Sequence, residues 1–361
     1  MATLVDRYSY VYSPFIHESY LADEAIFRTT YTKTWFSLFM IVLVALPPFL
    51  GNFHHYFLSQ LGIAILATMG INILTGYTGL ISLGHAAFMG VGAYTCGNFI
   101  NHLGFPFWLA IICAGLLAAF CGLIIGVPAL RVKGIYLAVA TLAFQFICDY
   151  TFVKWKAMTG GSAGINIPSP RFGGWLLNSN LEMYYIVLFW VVLGFWCAKN
   201  LFRSKYGRAL MAIRDNDISA EIAGIPVFKY KILAFVISSF YAGVAGALWG
   251  ILMRSSTPLF YGLDVSVSYL AMGIIGGLGS IIGSVLGPIF LVFIPEFLNW
   301  VVDIAASMSS QPADIKILVS PLKLMALGGL IILFIHVEPT GLAGVWRRIR
   351  DYLRIWPLPY V

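Results

Sequence analysis

The chain contains 361 residues, of which 60% are hydrophobic and only 10% are charged, with a mean hydropathy of +0.87 and a formal net charge of +7. Because soluble domains contain about 25% charged residues, this composition excludes a soluble globular protein. The basic residues stand between apolar runs and form no continuous basic face, so the net charge does not indicate a nucleic-acid partner.

The first 34 residues are more polar than the rest of the chain. They contain Asp6, Glu18, Asp23 and Glu24, and no short apolar core that ends in a small-residue cleavage site. A signal peptide would need that core. We therefore predict an N-terminal cytosolic extension over residues 1–34.

Ten apolar runs approach the length of about 20 residues that crosses a bilayer. They cover residues 35–50, 57–75, 82–100, 107–127, 134–153, 182–199, 231–252, 265–281, 282–301 and 320–337. The eighth and ninth runs are separated only by Gly279, Ser280 and Gly283, so nine spans is the alternative count. The predicted fold is an all-α polytopic membrane protein with about ten transmembrane helices and a transmembrane domain over residues 35–337.

A glycine-rich break ends the second run. Gly76, Tyr77, Thr78 and Gly79 place two glycines and two hydroxyl side chains together, which weakens a helix and can free backbone donors. Half-helix N-termini of this kind bind substrate carboxylates in transporters. The alternative is that the glycines only let neighbouring helices approach. We retain these four residues as candidates for the substrate path.

His85 lies well inside the third run. A lone histidine in a membrane is either a proton relay or a hydrogen-bonded structural group. Because no carboxylate lies near it within the membrane, we favour the structural interpretation, while His85 stays among the residues of the candidate path.

Two long hydrophilic segments follow, at residues 154–181 and 200–230. With both termini in the cytosol, sixteen of the 22 lysines and arginines lie inside and six lie outside, as the positive-inside rule expects. Residues 154–181 then form an external loop, residues 200–230 a cytosolic loop, and residues 338–361 a basic cytosolic tail.

The cytosolic loop contains a helical pattern that polar residues interrupt. It predicts two short helices joined by a turn, and Arg214, Asp215, Asp217 and Glu221 keep it out of the bilayer. From charge and periodicity alone, the loop is either a docking element or an ordinary solvated loop.

Small residues recur at four-residue spacing in two later runs. Ala242, Gly246 and Gly250 form one set, and Gly279, Gly283 and Gly287 form the other. Such ladders predict smooth helix faces for packing. The five cysteines lie inside apolar runs without metal-binding spacing, so no metal site is predicted.

Several motifs resemble those of the LivM-type permeases of the branched-chain amino acid ABC importer family. They are residues 76–88 (GYTGLISLGHAAF), 131–136 (RVKGIY) with 141–144 (TLAF), 159–164 (TGGSAG), Ala220-Glu221 with Gly224, 276–283 (GGLGSIIG), and 338–344 (EPTGLAG) followed by Arg347 and Arg348. The resemblance covers roughly residues 55–361. The N-terminal extension has no counterpart that we can match, and Leu80 stands where many relatives carry Gln.

The resemblance implies an assembly in the bacterial inner membrane. This chain would be one permease beside a second, LivH-like permease, with two cytosolic ATPase subunits that use ATP and Mg, and an external substrate-binding protein; the chain itself would bind no cofactor. It also implies roles for two sets of residues. The ATPase-coupling set is Arg208, Arg214, Asp215, Asp217, Ala220, Glu221 and Gly224, and the substrate path gains Thr159, Gly160 and Gly161.

Other functions fit the sequence less well. The chain lacks HExxH, GxSxG, paired carboxylates on one helix and the phosphate-binding GxxxxGK[ST] loop, so we predict neither an enzyme nor an ATPase. An ion-coupled transporter or channel for a small carboxylate would need intramembrane acidic groups, in which the chain is poor, and would not require residues 208–224 as a dock. Permeases for urea, amides or aromatic acids share the motifs, so the substrate stays open.

Overall fold

A computed structural model of the protein describes residues 30–131, 134–172, 175–176, 179–307, 325, 328–329, 332, 336, 338 and 340–355. The chain divides into two units, Met1–His55 and Tyr56–Val361.

The first unit contains one helix and a tight turn. Helix α1 covers Thr30–Ala45, and a 3₁₀ turn follows at Pro47–Phe49. Proline lacks a backbone donor and cannot continue a helix, which explains the stop. The apolar helical stretch Thr34–Phe49 is shorter than a full membrane span. The His55 Nε2–H donates to the buried Pro47 carbonyl at 2.7 Å and closes the turn.

Long helices build the second unit, and the first of them begins in the unit before it. The helices are α2 (Asn52–Ile71, continued by a π-helical turn at Asn72–Gly76), α3 (His85–Leu103), α4 (Phe107–Ala129), α5 (Ile135–Lys154), α6 (Lys156–Thr159), α7 (Asn180–Arg203), α8 (Lys205–Asp215), α9 (Asp217–Ile222), α10 (Val227–Met253), α11 (Leu263–Gly276), α12 (Gly283–Ser307) and α13 (Leu342–Ile355). Short 3₁₀ turns lie at Gly161–Ala163 and Pro258–Tyr261.

Strands are minimal in the described part of the chain. Strand β1 (Ile165–Asn166) pairs antiparallel with β4 (Ser255–Ser256), with Ile165 opposite Ser256. Strand β2 (Arg171–Phe172) pairs antiparallel with β3 (Trp175–Leu176).

Among the described residues, seven helices are long and apolar enough to cross a membrane. They are Asn52–Gly76, Phe107–Ala129, Ile135–Lys154, Asn180–Arg203, Val227–Met253, Pro258–Gly276 and Gly283–Val301. The prediction of an all-α polytopic membrane protein is confirmed. The count of ten stays a prediction, because the run at 320–337 lies almost entirely outside the described residues and the runs at 35–50 and 82–100 form helices that are too short or too polar to be counted.

Helix α3 forms the centre of the second unit. Twelve of its 19 residues are buried, and it packs mainly against α10 and α4. A Cβ on Gly92 would overlap the Gly243 carbonyl of α10, and one on Gly246 would overlap the Met89 carbonyl, so glycines bring the two backbones into contact. A helix enclosed in this way needs little lipid-facing apolar surface. This explains why the sequence of α3 is more polar than those of the seven helices that are apolar enough to cross a membrane.

The two predicted small-residue ladders differ. Gly246 and Gly250 of the first face α3, as expected for packing. In the second, Gly279 lies in the turn before α12 with φ +76°, while Gly283 and Gly287 pack on the α11 backbone. The prediction of one continuous helix face was wrong there, because residues 277–282 reverse the chain between two helices.

Candidate functional site

Helices α8 and α9 form the predicted helix–turn–helix. The Ser204 hydroxyl accepts from the Tyr206 N–H at 3.2 Å and begins α8. Asn216 leaves the helical conformation at φ −160°, and its side-chain oxygen accepts from the Ile218 and Ser219 N–H groups, both at 3.0 Å. One residue thus ends α8 and caps α9. The prediction of two short helices joined by a turn is confirmed.

Helix α9 ends in a glycine cap. The Gly224 N–H donates to the Glu221 carbonyl and the Ile225 N–H to the Ala220 carbonyl, both at 3.0 Å. These two bonds, with Gly224 at φ +84°, make a Schellman motif. The spacing Ala220, Glu221, Gly224 therefore has a local physical reason: a small buried residue, an exposed acid, and the residue type that tolerates a left-handed turn.

The two helices present a mixed apolar and charged surface. Leu210, Ile213 and Ala220 are buried against the rest of the unit. On the other side, Ile218 is 63% exposed and Ile222 83% exposed. The predicted coupling residues Arg208, Arg214, Asp215 and Glu221 are also exposed, while Asp217 is half-buried and lies 3.5 Å from Lys231 at the start of α10. Exposed branched apolar side chains among charges are typical of a protein-docking surface.

Arg214 joins this surface to two glycine turns of the membrane core. A Cβ added to Gly79 would lie 3.8 Å from Arg214 Cγ, and one added to Gly279 would overlap Arg214 Nη1. Both glycines have left-handed backbones, at φ +71° and +76°. A cavity of about 370 Å³ lies beside the contact, lined by residues 78–80 and by residues 213–218. The structure thus brings the predicted glycine break and the predicted coupling segment together.

Asn72 links the two turns to each other. It begins the π-helical turn and is buried, 2% exposed. Its Nδ2 donates to the Ser280 carbonyl at 2.7 Å and to Ser284 Oγ at 2.6 Å, and its Oδ1 accepts from the Gly279 N–H at 2.8 Å. π-helical turns occur preferentially at functional sites. Asn72 therefore fastens the end of α2 to the turn between α11 and α12.

We call the contact region between the two glycine turns, residues 76–79 and 277–282, the junction. Tyr77 extends this junction towards α7. Its ring stacks on Phe202 with centroids 3.5 Å apart and planes 14° from parallel. Burial raises the pKa of Tyr77 to about 12, so the hydroxyl stays neutral. The adjacent Thr78 hydroxyl donates to the Leu74 carbonyl and turns back into the π-helical segment.

The glycine break separates α2 from α3, as the sequence predicts. Side chains of other helices accept hydrogen bonds from the backbone N–H groups at the start of α3. The Ala86 N–H donates to Ser266 Oγ at 2.8 Å, and the Ala87 N–H donates to Gln145 Oε1 at 2.9 Å. Gln145 Nε2 in turn donates to the Tyr261 carbonyl at 2.6 Å. Side chains of α5 and α11 therefore occupy two backbone N–H donors at the start of α3.

The residues from Thr159 to Gly161 lie apart from this junction, whereas His85 is the first residue of α3 and follows the glycine break. The His85 Nε2–H donates to the Ala67 carbonyl at 3.0 Å inside the core. The Thr159 hydroxyl donates to the Phe152 and Trp155 carbonyls at 2.7 and 2.8 Å, and Gly160 and Gly161 follow with left-handed φ of +68° and +67°.

Helix α3 spans the distance between the two sets. The Asn98 Nδ2 donates to the Met158 carbonyl, next to Thr159, at 2.7 Å. Asn98 is thirteen residues from His85, or about 20 Å along the helix. Residues 76–84, α8, α9 and the turn 277–282 lie at one end of α3, which we name the coupling side. Residues 155–172 and β4 lie at the other end, the opposite side. The candidate path residues lie at both ends of α3.

Sequence reasoning missed the residues that hold the junction together. Asn72, Gln145 and Ser266 are polar side chains in apolar runs, and their burial with hydrogen-bond partners in distant helices marks them as structural connections. A polar residue in the middle of a membrane run is the signal that could have found them. Among the described residues, no group of three or more His, Cys, Asp or Glu is placed to hold a metal ion.

Comparison with known proteins gives the family context. Residues 54–335 match the family described as "Branched-chain amino acid transport system / permease component". The chain is 30% identical to the "High-affinity branched-chain amino acid transport system permease protein LivM" of Escherichia coli (strain K12), over 90% of this chain and 78% of that protein.

More distant relatives include a second type of permease and a sugar permease. The "High-affinity branched-chain amino acid transport system permease protein LivH" of Salmonella typhimurium is 24% identical over 80% of this chain and 96% of its own length. The "Fructose import permease protein FrcC" of Rhizobium meliloti is 25% identical over 67% of this chain and 70% of its own. No solved structure is significantly similar to the chain.

Proposed function

The chain belongs to the family of branched-chain amino acid permease components, and on that basis we propose that it is one of two membrane subunits of an ATP-driven importer. The cargo that we propose is branched-chain or related small amino acids, which matches the names of the relatives that cover most of the chain. No bond in the cargo is broken, so the chain acts as a transport subunit and not as an enzyme.

The observation that carries the proposal is the position of Arg214, which packs on the Gly279 turn and lines one cavity with Gly79. An ATPase that docks on α8 and α9 would push on two short helices whose ends lead directly into α7 and α10. Through Arg214 the same push would reach Gly79 and Gly279, and through Asn72 the ends of α2, α11 and α12. Five membrane helices would therefore respond to one docking event.

We propose that Glu221 and the exposed Ile218 and Ile222 contact the ATPase, with Arg208, Asp215 and Asp217 at the rim. Ala220 and Gly224 shape the end of α9 and would act by positioning Glu221. Charged groups at a rim steer association, while buried apolar side chains supply most of the affinity.

The proposed path follows α3. Thr159, Gly160 and Gly161 would lie near its outer end and residues 76–79 near its inner end. Gln145, with its partners Ser266 and Tyr261, would lie between them. When the helices separate, the Ala86 and Ala87 N–H groups would become free for a substrate carboxylate, as half-helix N-termini allow. We propose that the coupling side faces the cytosol, with both termini inside, because sixteen of the 22 basic residues then lie on that side, as the positive-inside rule expects.

The assembly that we propose contains a second, LivH-like permease, two ATPase subunits that use ATP and Mg, and an external binding protein, all at a bacterial inner membrane. The relatives include a fructose permease, so cargo class varies among similar chains. Urea, amides and aromatic acids are the alternative cargoes, and an ion-coupled transporter is the alternative mechanism.

Co-purification tests the proposed dock. The tagged protein is solubilised from its native membrane as the wild type, as Glu221→Arg, and as Asp264→Arg, which makes the same charge change at an exposed position near the opposite side. We expect an ATPase and a second permease with the wild type and with Asp264→Arg, and loss of the ATPase alone with Glu221→Arg. A wild type that purifies without an ATPase would overturn the importer proposal.

A further inference from the structure

The C-terminal helix α13 packs on the rest of the second unit through its first turn. Ala343 is 3% exposed, and a Cβ on Gly277 would lie 3.0 Å from the Ala343 Cβ and 2.9 Å from the Thr340 carbonyl. Gly341 packs on the same turn between α11 and α12. Arg348 Nη2 donates to Glu338 Oε1 at 2.7 Å and ties the helix back to the segment before it. The anchor lies two residues from Gly279, which contacts Arg214.

Beyond that anchor, α13 exposes an apolar stripe. Trp346 is 50% exposed, Ile349 47% and Tyr352 63%. The three residues are spaced by three, so at 100° per residue they cover about 120° of the helix circumference. Three large side chains in one stripe are more than a water-facing helix needs, and in the described residues nothing of this chain covers them.

Arginines border the stripe. At 100° per residue, Arg350 lies about 40° beyond Trp346 and Arg348 about 40° beyond Tyr352, while Arg347 is on the far side. All three are exposed, and Asp351 is the one acid among the described residues of the helix. A tryptophan and a tyrosine on the apolar face with arginines around them is the composition of helices that lie in the headgroup region of a bilayer.

We propose that α13 is an interfacial helix whose Trp346, Ile349 and Tyr352 insert between lipids while Arg348 and Arg350, which border the stripe, bind anionic headgroups. The occupant is the bilayer in which the protein already sits, and the positive charge of the helix complements acidic phospholipids. Because its first turn packs on Gly277, the helix would hold the α11–α12 turn at a fixed depth. That turn is the one that Arg214 and Asn72 contact, so lipid charge would influence the coupling junction.

The first turn of α13 lies at the coupling side, where it packs on Gly277. The assignment of α13 to the cytosolic leaflet therefore rests on the proposed function. Contact with lipid does not rest on it. A test of lipid contact therefore needs neither transport nor an ATPase, and its failure is distinguishable from failure of the importer proposal.

The experiment places an environment-sensitive fluorophore at one of two positions of the full chain. With the five native cysteines replaced, the label is attached through Tyr352→Cys on the stripe or through Arg347→Cys on the far side as the matched control. Each protein is reconstituted into nanodiscs of phosphatidylcholine, with or without phosphatidylglycerol, that contain lipids brominated in the acyl chain. We expect strong quenching at position 352, little at 347, and less at 352 when phosphatidylglycerol is omitted.

The variant Arg350→Gln tests the headgroup contact. Removing one arginine near an anionic surface should lower the ratio of inserted to free helix about fivefold. Equal quenching at 352 and 347, or no dependence on phosphatidylglycerol and on Arg350, would overturn the proposal. So would a label at 352 that is shielded only after the ATPase is added, because the stripe would then bind protein.

Hydrogen exchange on the wild-type protein, which keeps its five native cysteines, gives a second measurement that requires no label. The peptide that covers residues 342–355 should exchange more slowly in nanodiscs with phosphatidylglycerol than in those without it. Identical exchange in both would contradict lipid binding even if the labelled variants fold poorly.

Discussion

Replacing Asn72 by alanine should loosen the junction between the glycine turns without unfolding the protein. The change removes three hydrogen bonds, to the Ser280 carbonyl, to Ser284 Oγ and from the Gly279 N–H. At about 1 kcal/mol net for each, the turn between α11 and α12 loses about 3 kcal/mol of local stability. Since 1.4 kcal/mol is a factor of ten, local opening becomes about 100-fold more frequent. Alanine is preferred to leucine because Gly76 leaves no room for a larger side chain.

Hydrogen exchange of the peptide that covers residues 277–284 measures this effect directly, since the Gly279 N–H is one of the bonded groups. Asn98→Ala is the matched control, because Asn98 makes its two bonds to the Tyr94 and Met158 carbonyls at the other end of α3. We expect faster exchange at 277–284 in Asn72→Ala and not in Asn98→Ala. Equal protection of that peptide in wild type and Asn72→Ala would refute the linkage.

Two further substitutions test neighbouring contacts. Gly279→Ala puts an L side chain into a left-handed backbone, at a cost of about 1 kcal/mol, and against Arg214. Gly104→Ala is the control, because its backbone has the same strain but nothing lies within 4 Å of the added Cβ. Uptake per membrane-inserted molecule should fall in the first and not in the second, and equal losses would show that backbone strain alone matters. Gln145→Leu leaves the Ala87 N–H and the Tyr261 carbonyl unpaired in the core, which should lower stability by about 2–4 kcal/mol and the midpoint of thermal unfolding in detergent; a midpoint within error of wild type would contradict the capping role.

Much of the fold follows from sequence patterns because the bilayer imposes a simple rule. Long apolar runs must satisfy their backbone groups internally, so most of them appear as helices close to the predicted bounds. The helix–turn–helix was also predictable, because Asn216 and Gly224 are residue types that cap helices locally. These features depend on neighbours in sequence, which a single chain reveals.

The junction could not be predicted, because it depends on contacts between residues that are 65 to 212 positions apart in the sequence. Asn72 bonds to Ser280 and Ser284, and Arg214 meets Gly79 and Gly279. The glycine motifs indicate positions with unusual backbone conformations, but they do not identify the residues that contact those positions. For the same reason, the ladder that includes Gly279 was interpreted as one helix face, since spacing alone cannot distinguish a packing glycine from one in a chain reversal.

We propose that an ATPase drives this permease through α8 and α9, and uptake by the reconstituted assembly is the most direct test. The wild type, Glu221→Arg and Asp264→Arg are each incorporated into proteoliposomes with the second permease, the ATPase and the binding protein, and entry of labelled leucine is measured with and without ATP and with ion gradients collapsed. We expect uptake that requires ATP, survives the loss of ion gradients, and disappears only in Glu221→Arg. Uptake by the permease without ATP, driven by an ion gradient and unaffected by Glu221→Arg, would contradict it.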